Sequence, residues 1–164
     1  MMNFYYTKKV ISLFLVMTIL LSILSLSSFA TSEKAAENVV RFADGCYFVT
    51  VMIEEQVTPR ATTVTKTKRT VCYDANDVAK CALEVTATFS LNKGTSITCT
   101  NATYKTYSYA SGWSIESPSV KYDNYISSAV AKASGTVKHK VLGVTVKTEP
   151  ISVSLSGYKD GTYV

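Results

Sequence analysis

Between residues 81 and 91 apolar and polar side chains alternate without a break. Cys81, Leu83, Val85, Ala87, Phe89 and Leu91 share one parity; Ala82, Glu84, Thr86, Thr88 and Ser90 share the other. An extended strand, whose side chains repeat every two residues, turns this pattern into one dry face and one wet face. Asn92-Lys93-Gly94-Thr95-Ser96 follows, and Gly94 can take the positive φ that a short hairpin loop needs. A loop centred on Gly94 sets Leu91 opposite Ile97 and Phe89 opposite Cys99, all on the buried face. Past Asn101 the apolar positions change phase, to Ala102 and Tyr104 and then to Tyr107 and Tyr109, which predicts a bulge or bend in the return strand. A lone hairpin is marginal in water, so the rest of the chain must supply a facing layer.

At the amino terminus Lys8 and Lys9 precede an apolar run over residues 10–26, and Ser28-Phe29-Ala30 then offers the small residues of a signal-peptidase site. The run is interrupted by Ser12, Ser22 and Ser25 and falls short of the roughly 20 residues of a spanning helix. Residues 1–30 are therefore expected to be a signal peptide and the mature protein to be secreted, with membrane contact only before cleavage. Residues 31–45 read as a leader or a short helix, with Ala35, Val39 and Phe42 at helical spacing before Asp44-Gly45. Residues 46–164 are long enough for one domain with a modest core.

From Cys46 the run Tyr47-Phe48-Val49-Thr50-Val51-Met52-Ile53 is apolar on both faces, the pattern of a central strand. Residues 61–73 are rich in threonine, valine and lysine, the composition of a solvent-facing or edge strand. Lys66, Lys68 and Arg69 form the densest basic cluster, yet neither a Gly-rich loop nor interleaved aromatics accompany them. Nucleic-acid binding is not expected. Asp74-Ala75-Asn76-Asp77 fails the calcium-loop pattern, since Val78 and Ala79 stand where a ligand and a glycine are required, and reads as an Asx-type turn.

Cys46, Cys72, Cys81 and Cys99 permit two disulfides in three connectivities in an exported domain. A Cys72–Cys81 bridge with Cys46–Cys99 as its complement would close the Asp74 turn. It would also place Thr70, Lys68 and Lys66 on the inward face unless a bulge intervenes. No Cys-x-x-Cys pair is present and His139 is far along the chain, so neither a zinc site nor any other metal or cofactor is expected.

Six aromatic residues, Tyr104, Tyr107, Tyr109, Trp113, Tyr122 and Tyr125, fall within residues 104–125. Such a run fills a small β core or builds a stacking platform. Tyr104, Tyr107, Tyr109 and Trp113 are the ligand-binding candidates, Tyr107 and Tyr109 foremost because they share one strand face. Ala129, Ala131, Ala133 and Gly135 imply that another layer approaches closely. Leu142-Gly143 turns the chain, and a change of phase around Glu149-Pro150 predicts an edge strand or a bulge there. The fold expected is all-β: an antiparallel two-sheet β-sandwich of about eight strands.

The segments Ser90-Leu91-Asn92-Lys93-Gly94-Thr95, Gly112-Trp113, Val141-Leu142-Gly143-Val144 and Lys159-Asp160-Gly161 resemble those of uncharacterised small secreted β-rich proteins of Gram-positive bacteria, the Firmicutes. The likeness covers roughly residues 62–162. It implies an exported bacterial product, with Asn101-Ala102-Thr103 unglycosylated, and brings no activity, cofactor or catalytic residue; an anaerobic host would leave the cysteines reduced.

Catalysis has little material. His139 is the single imidazole, on a lysine-flanked strand, and neither a nucleophile elbow nor a Cys/His signature accompanies it. The chain is expected to be a secreted, non-catalytic binding or adhesion module for a cell-wall polymer, a glycan or an extracellular protein of the host. The alternative is a secreted membrane-active toxin or antimicrobial effector.

Overall fold

The computed structural model describes residues 38–53 and 62–164. The proposed cleavage site and residues 31–37 of the leader lie outside the described residues. Eight strands and two antiparallel sheets make up the fold: β1 (Asn38–Arg41), β2 (Tyr47–Ile53), β3 (Thr63–Tyr73), β4 (Ala79–Asn92), β5 (Ser96–Ser108), β6 (Trp113–Asn124), β7 (Ser128–Val141) and β8 (Val144–Tyr158). The first five form one sheet in the order β1-β2-β3-β4-β5 and the last three a second, β6-β7-β8. Each sheet is a meander of sequential neighbours, and the two pack face to face as a β-sandwich. Residues 38–41 are strand where a short helix was expected; helical spacing over ten residues is a weak signal beside pairing with β2.

The β4–β5 hairpin has the expected register, with Leu91 opposite Ile97 and Phe89 opposite Cys99, and Gly94 takes a φ of 78°. The return strand carries its irregularity at Thr100, between the Phe89–Cys99 and Thr88–Asn101 pairs. There the Asn124 side chain of β6 substitutes for a strand. Its Oδ1 accepts from the Cys99 amide at 2.7 Å, and its Nδ2 donates to the Cys99 carbonyl at 3.2 Å, which ties the two sheets together.

Cys81, Leu83, Val85, Ala87 and Phe89 are fully buried and meet Ala129, Ala131, Ala133, Val137, Ile151, Val153 and Leu155 of the second sheet. Small residues of the second sheet allow this approach: a Cβ added at Gly157 of β8 would lie 2.8 Å from Ile97 Cδ1 of β5.

Two expectations are corrected. The threonine- and lysine-rich strand β3 is the middle strand of its sheet, and Lys66, Lys68 and Thr70 share the inward register with Cys72. Thr70 is 2 % exposed and donates to the Ser152 carbonyl of β8, while Lys68 is 9 % exposed, its long aliphatic stem suited to such a site. Strand β2, apolar on both faces, is next to the edge rather than central. The edge strand expected around Glu149-Pro150 is β8, which runs unbroken through Pro150 as an outer strand can; the register shift of the β7–β8 pair lies between His139 and Lys140, where Val146 is the extra residue. Val144 and Val146 are exposed as a result.

Candidate binding face

Inward residues of the five-stranded sheet alternate with an outward set, which the register lines up in rows. Val39 of β1 lies beside Val49 of β2 and Val71 of β3; Arg41 beside Tyr47 and Tyr73; and Arg69 of β3 beside Glu84 of β4 and Lys105 of β5. Val51 and Ile53 extend the apolar part of this face. No described element packs over it. Val39 is exposed, and Val49, Val51, Ile53, Val71, Tyr47, Tyr73 and Tyr107 are all half-buried.

Aromatic and cationic side chains are pre-packed along this face. Tyr47 and Tyr73 stack with ring centroids 5.2 Å apart and planes 12° from parallel; Tyr107 and Tyr109 stack at 6.0 Å and 15°. The Arg41 guanidinium lies 4.9 Å from the Tyr47 centroid and that of Arg69 4.5 Å from Tyr107. Glu84, 8 % exposed, holds the centre: it accepts from Arg69 Nε at 2.9 Å and from the Tyr107 hydroxyl at 3.2 Å. The Tyr47 hydroxyl donates to Asp77 Oδ1 at 2.8 Å. Burial pushes the Tyr109 phenol above its ordinary value. Ring neighbours and guanidinium groups take up the flat faces of Tyr47 and Tyr107, while Tyr109 remains 48 % exposed.

The four aromatic candidates therefore separate. Tyr107 and Tyr109 stand on the outward face and stack as their spacing suggests. Tyr104 pairs with inward Val85 and belongs to the opposite register, 43 % exposed at the sheet margin. Trp113 is 8 % exposed and part of the core, stacked on His139 with centroids 4.3 Å apart and planes at 11°. Its role is packing, and His139 is a half-buried partner of that indole. Tyr47, Tyr73 and Arg41 were not singled out from sequence, and Arg69 was noted only within the basic cluster with Lys66 and Lys68. The available signal was the doubly apolar pattern of β2, which was read as burial.

At one end of the sandwich an open cavity of about 520 Å³ is lined by Cys46, Trp113, His139 and Lys147, with Asp74 and Lys80 among its other residues. Its cations are already matched. Lys147 pairs with Asp44 and lies 4.9 Å from the Phe42 ring; Lys80 Nζ is 2.8 Å from Asp74 Oδ2. Asp74 also accepts from the Asn76 and Val78 amides at 2.9 and 3.0 Å, the expected Asx turn. Among the described residues no group of three or more His, Cys, Asp or Glu side chains is placed to hold a metal ion.

These pairs make stability depend on pH at the acid end. Lys147 holds the Asp44 carboxyl below its ordinary value, Lys80 does so for Asp74, and Lys138 with Lys140 for Glu116. Each carboxylate thus binds a proton less readily in the folded chain than in the unfolded one. The stabilisation is complete above the ordinary carboxylate range and is lost as pH falls through the depressed folded values. Unfolding midpoints measured from pH 8 downward are expected to stay level to about pH 5 and to fall below about pH 4; a midpoint unchanged at pH 3 would contradict these pairings.

All four cysteines are buried free thiols. Cys72 and Cys81 are directly opposed across β3 and β4. The Cys46–Cys99 complement is excluded by geometry. Cys99 pairs with Phe89, eight residues along β4 from Cys81, a distance of roughly 26 Å. Cys46 lies at the Cys81 end, immediately before Tyr47, which pairs with Tyr73. No protein-family model matches the chain, and neither a curated protein nor a solved structure is detectably similar to it.

Proposed function

We propose that the chain is an exported, non-catalytic binding module and that the outward face of its five-stranded sheet docks an extracellular protein. The observation that carries this reading is the row of outward valines on β1, β2 and β3, continuous with two stacked tyrosine pairs and two arginines, and covered by no described element. Tyrosine and arginine are enriched at protein interfaces and among their hot spots, and an apolar centre is what such a patch buries. Pre-stacked rings have already lost much of their rotamer freedom, which lowers the entropic cost of docking. Sugar recognition is less favoured, because it needs open ring faces and those of Tyr47 and Tyr107 are occupied. The signal-peptide pattern at residues 1–30 supports export.

The test is capture by the immobilised chain from the extracellular protein fraction and from insoluble wall material. A Tyr73→Ala/Tyr107→Ala variant is compared with Leu142→Ser, which alters the exposed β7–β8 tip. Saturable protein capture that the tyrosine variant loses and the tip variant keeps is the expected result. Capture that survives in the tyrosine variant, or retention only on polysaccharide, would contradict it.

A membrane-active effector draws on one observation, the β7–β8 tip, where Leu142 is 99 % exposed beside Val141, Val144 and Val146. The nearby lysines Lys138, Lys140 and Lys147 are matched by Glu116 and Asp44, which leaves little charge to attract an anionic bilayer. Dye release from anionic vesicles that Leu142→Ser abolishes would move the assignment to that reading.

A further inference from the structure

We propose that Cys72 and Cys81 are a redox site, a dithiol that closes to a reversible cross-strand disulfide beneath the tyrosine strip. The inference depends on the export reading only for its oxidising surroundings.

Three observations carry it. The two residues are opposite each other in the β3–β4 register, and both of the Cα separations that antiparallel pairs adopt, about 4.5 and 5.5 Å, fall within the range a disulfide spans. Neither other thiol stands opposite the pair: Cys99 is far along the sheet, and Cys46 lies before the first β2 residue, Tyr47, which pairs with Tyr73. The register breaks just beyond the pair, between Cys72 and Tyr73, so the strands have local freedom to adjust as the bond forms.

The chemistry needs a disulfide oxidant, such as an oxidised low-molecular-weight thiol. The interaction between the paired thiols holds the Cys72 thiol above its ordinary value and the Cys81 thiol below it, so the Cys81 proton is lost first. The Cys81 thiolate attacks one sulfur of the oxidant and releases its first thiol, leaving a mixed disulfide. Cys72 then gives up its proton, attacks the Cys81 sulfur and releases the second thiol. Two electrons and two protons leave the pair, and the oxidant becomes two thiols. Both cysteines are 0 % exposed, so exchange is expected to be rapid during refolding and at least ten-fold slower in the folded chain.

Tryptic cleavage after lysine and arginine puts the four cysteines on separate peptides: 42–60, 70–80, 81–93 and 94–105. The reduced full chain is refolded in oxidised and reduced glutathione of graded ratio, quenched with acid, alkylated and digested. The expected product joins peptides 70–80 and 81–93, with 42–60 and 94–105 alkylated. A Cys46→Ala/Cys99→Ala variant should give the same bridge, and Cys72→Ser should give none. Alkylation of all four cysteines at the most oxidising ratio, or a bridge that uses Cys46 or Cys99, would overturn the proposal. The readout involves no partner, so its failure is separate from a failure of the binding face.

Discussion

Phe89→Ala is expected to cost about 3–5 kcal/mol of stability and to lower the unfolding midpoint by roughly 10–20 °C. The ring is completely buried on the inward face of β4, between Val64 and Cys99 in the register, with the Tyr163 ring 5.4 Å away. The neighbours cannot collapse into the space cheaply. Val64, Cys99 and Ile97 are fixed by sheet pairing, and Gly157, which already lets Ile97 and Tyr163 come close, has no side chain to lend. Urea denaturation should show a lower midpoint with an unchanged slope, the signature of lost stability without a change in exposed surface. A loss below about 1 kcal/mol would mean that the ring is not a central element of the core.

Gly112→Ala is the second large effect. The chain passes from the first sheet to the second between β5 and β6, and Gly112 makes that passage with a φ of 77°. A methyl group there would enter the van der Waals shell of the Lys140 carbonyl oxygen. That oxygen is backbone of β7, and the neighbouring Lys140 amide donates to the Gly112 carbonyl at 2.7 Å, so neither strand can yield without losing a hydrogen bond. The conformation alone costs about 1–3 kcal/mol, and the clash adds to it. Gly94 is the control: it also has positive φ, but a Cβ there meets nothing within 4 Å, so Gly94→Ala should show the conformational cost alone. Equal losses at the two glycines would contradict the close approach at Gly112.

Much of the fold was legible because its signals are local. The parity of residues 81–91, the glycine of the 92–96 loop and the alanine row of β7 each state a face or a turn within a few residues. Two meanders of adjacent strands need no long-range pairing to be guessed. Strand position within the sheet was not legible, and here β2 and β3 exchanged roles. An apolar strand reads as central and a lysine-rich strand as peripheral only if every wide sheet is covered on the same side along its whole width. The second sheet has three strands against five, so it covers β3, β4 and β5 and leaves the geometry of β2 to its neighbours. Lysine stems at Lys66 and Lys68 then face inward, while Val49, Val51 and Ile53 face outward with no described layer above them.

The candidate site was half legible for the same reason. Tyr107 and Tyr109 could be placed on one face from spacing alone. Arg69 and Glu84, the partners of Tyr107, come from β3 and β4, and the other stacked pair, Tyr47 and Tyr73, from β2 and β3, through pairings that no local pattern encodes. Trp113 misled because a lone tryptophan after a turn has the same appearance whether it roofs a core or lines a ligand site; its stack on His139 decides the matter.

The central claim, that the outward sheet face is a docking surface and not a second core, is tested most directly by the stability of Val51→Arg. Val51 pairs with Arg69 on the outward register and is half-buried. If the face meets solvent in the free chain, the substitution costs less than about 1 kcal/mol in urea denaturation, because the guanidinium stays hydrated, while partner capture is lost. A destabilisation of about 3 kcal/mol or more would show that the chain buries this face for itself, and the binding-face account would then be wrong.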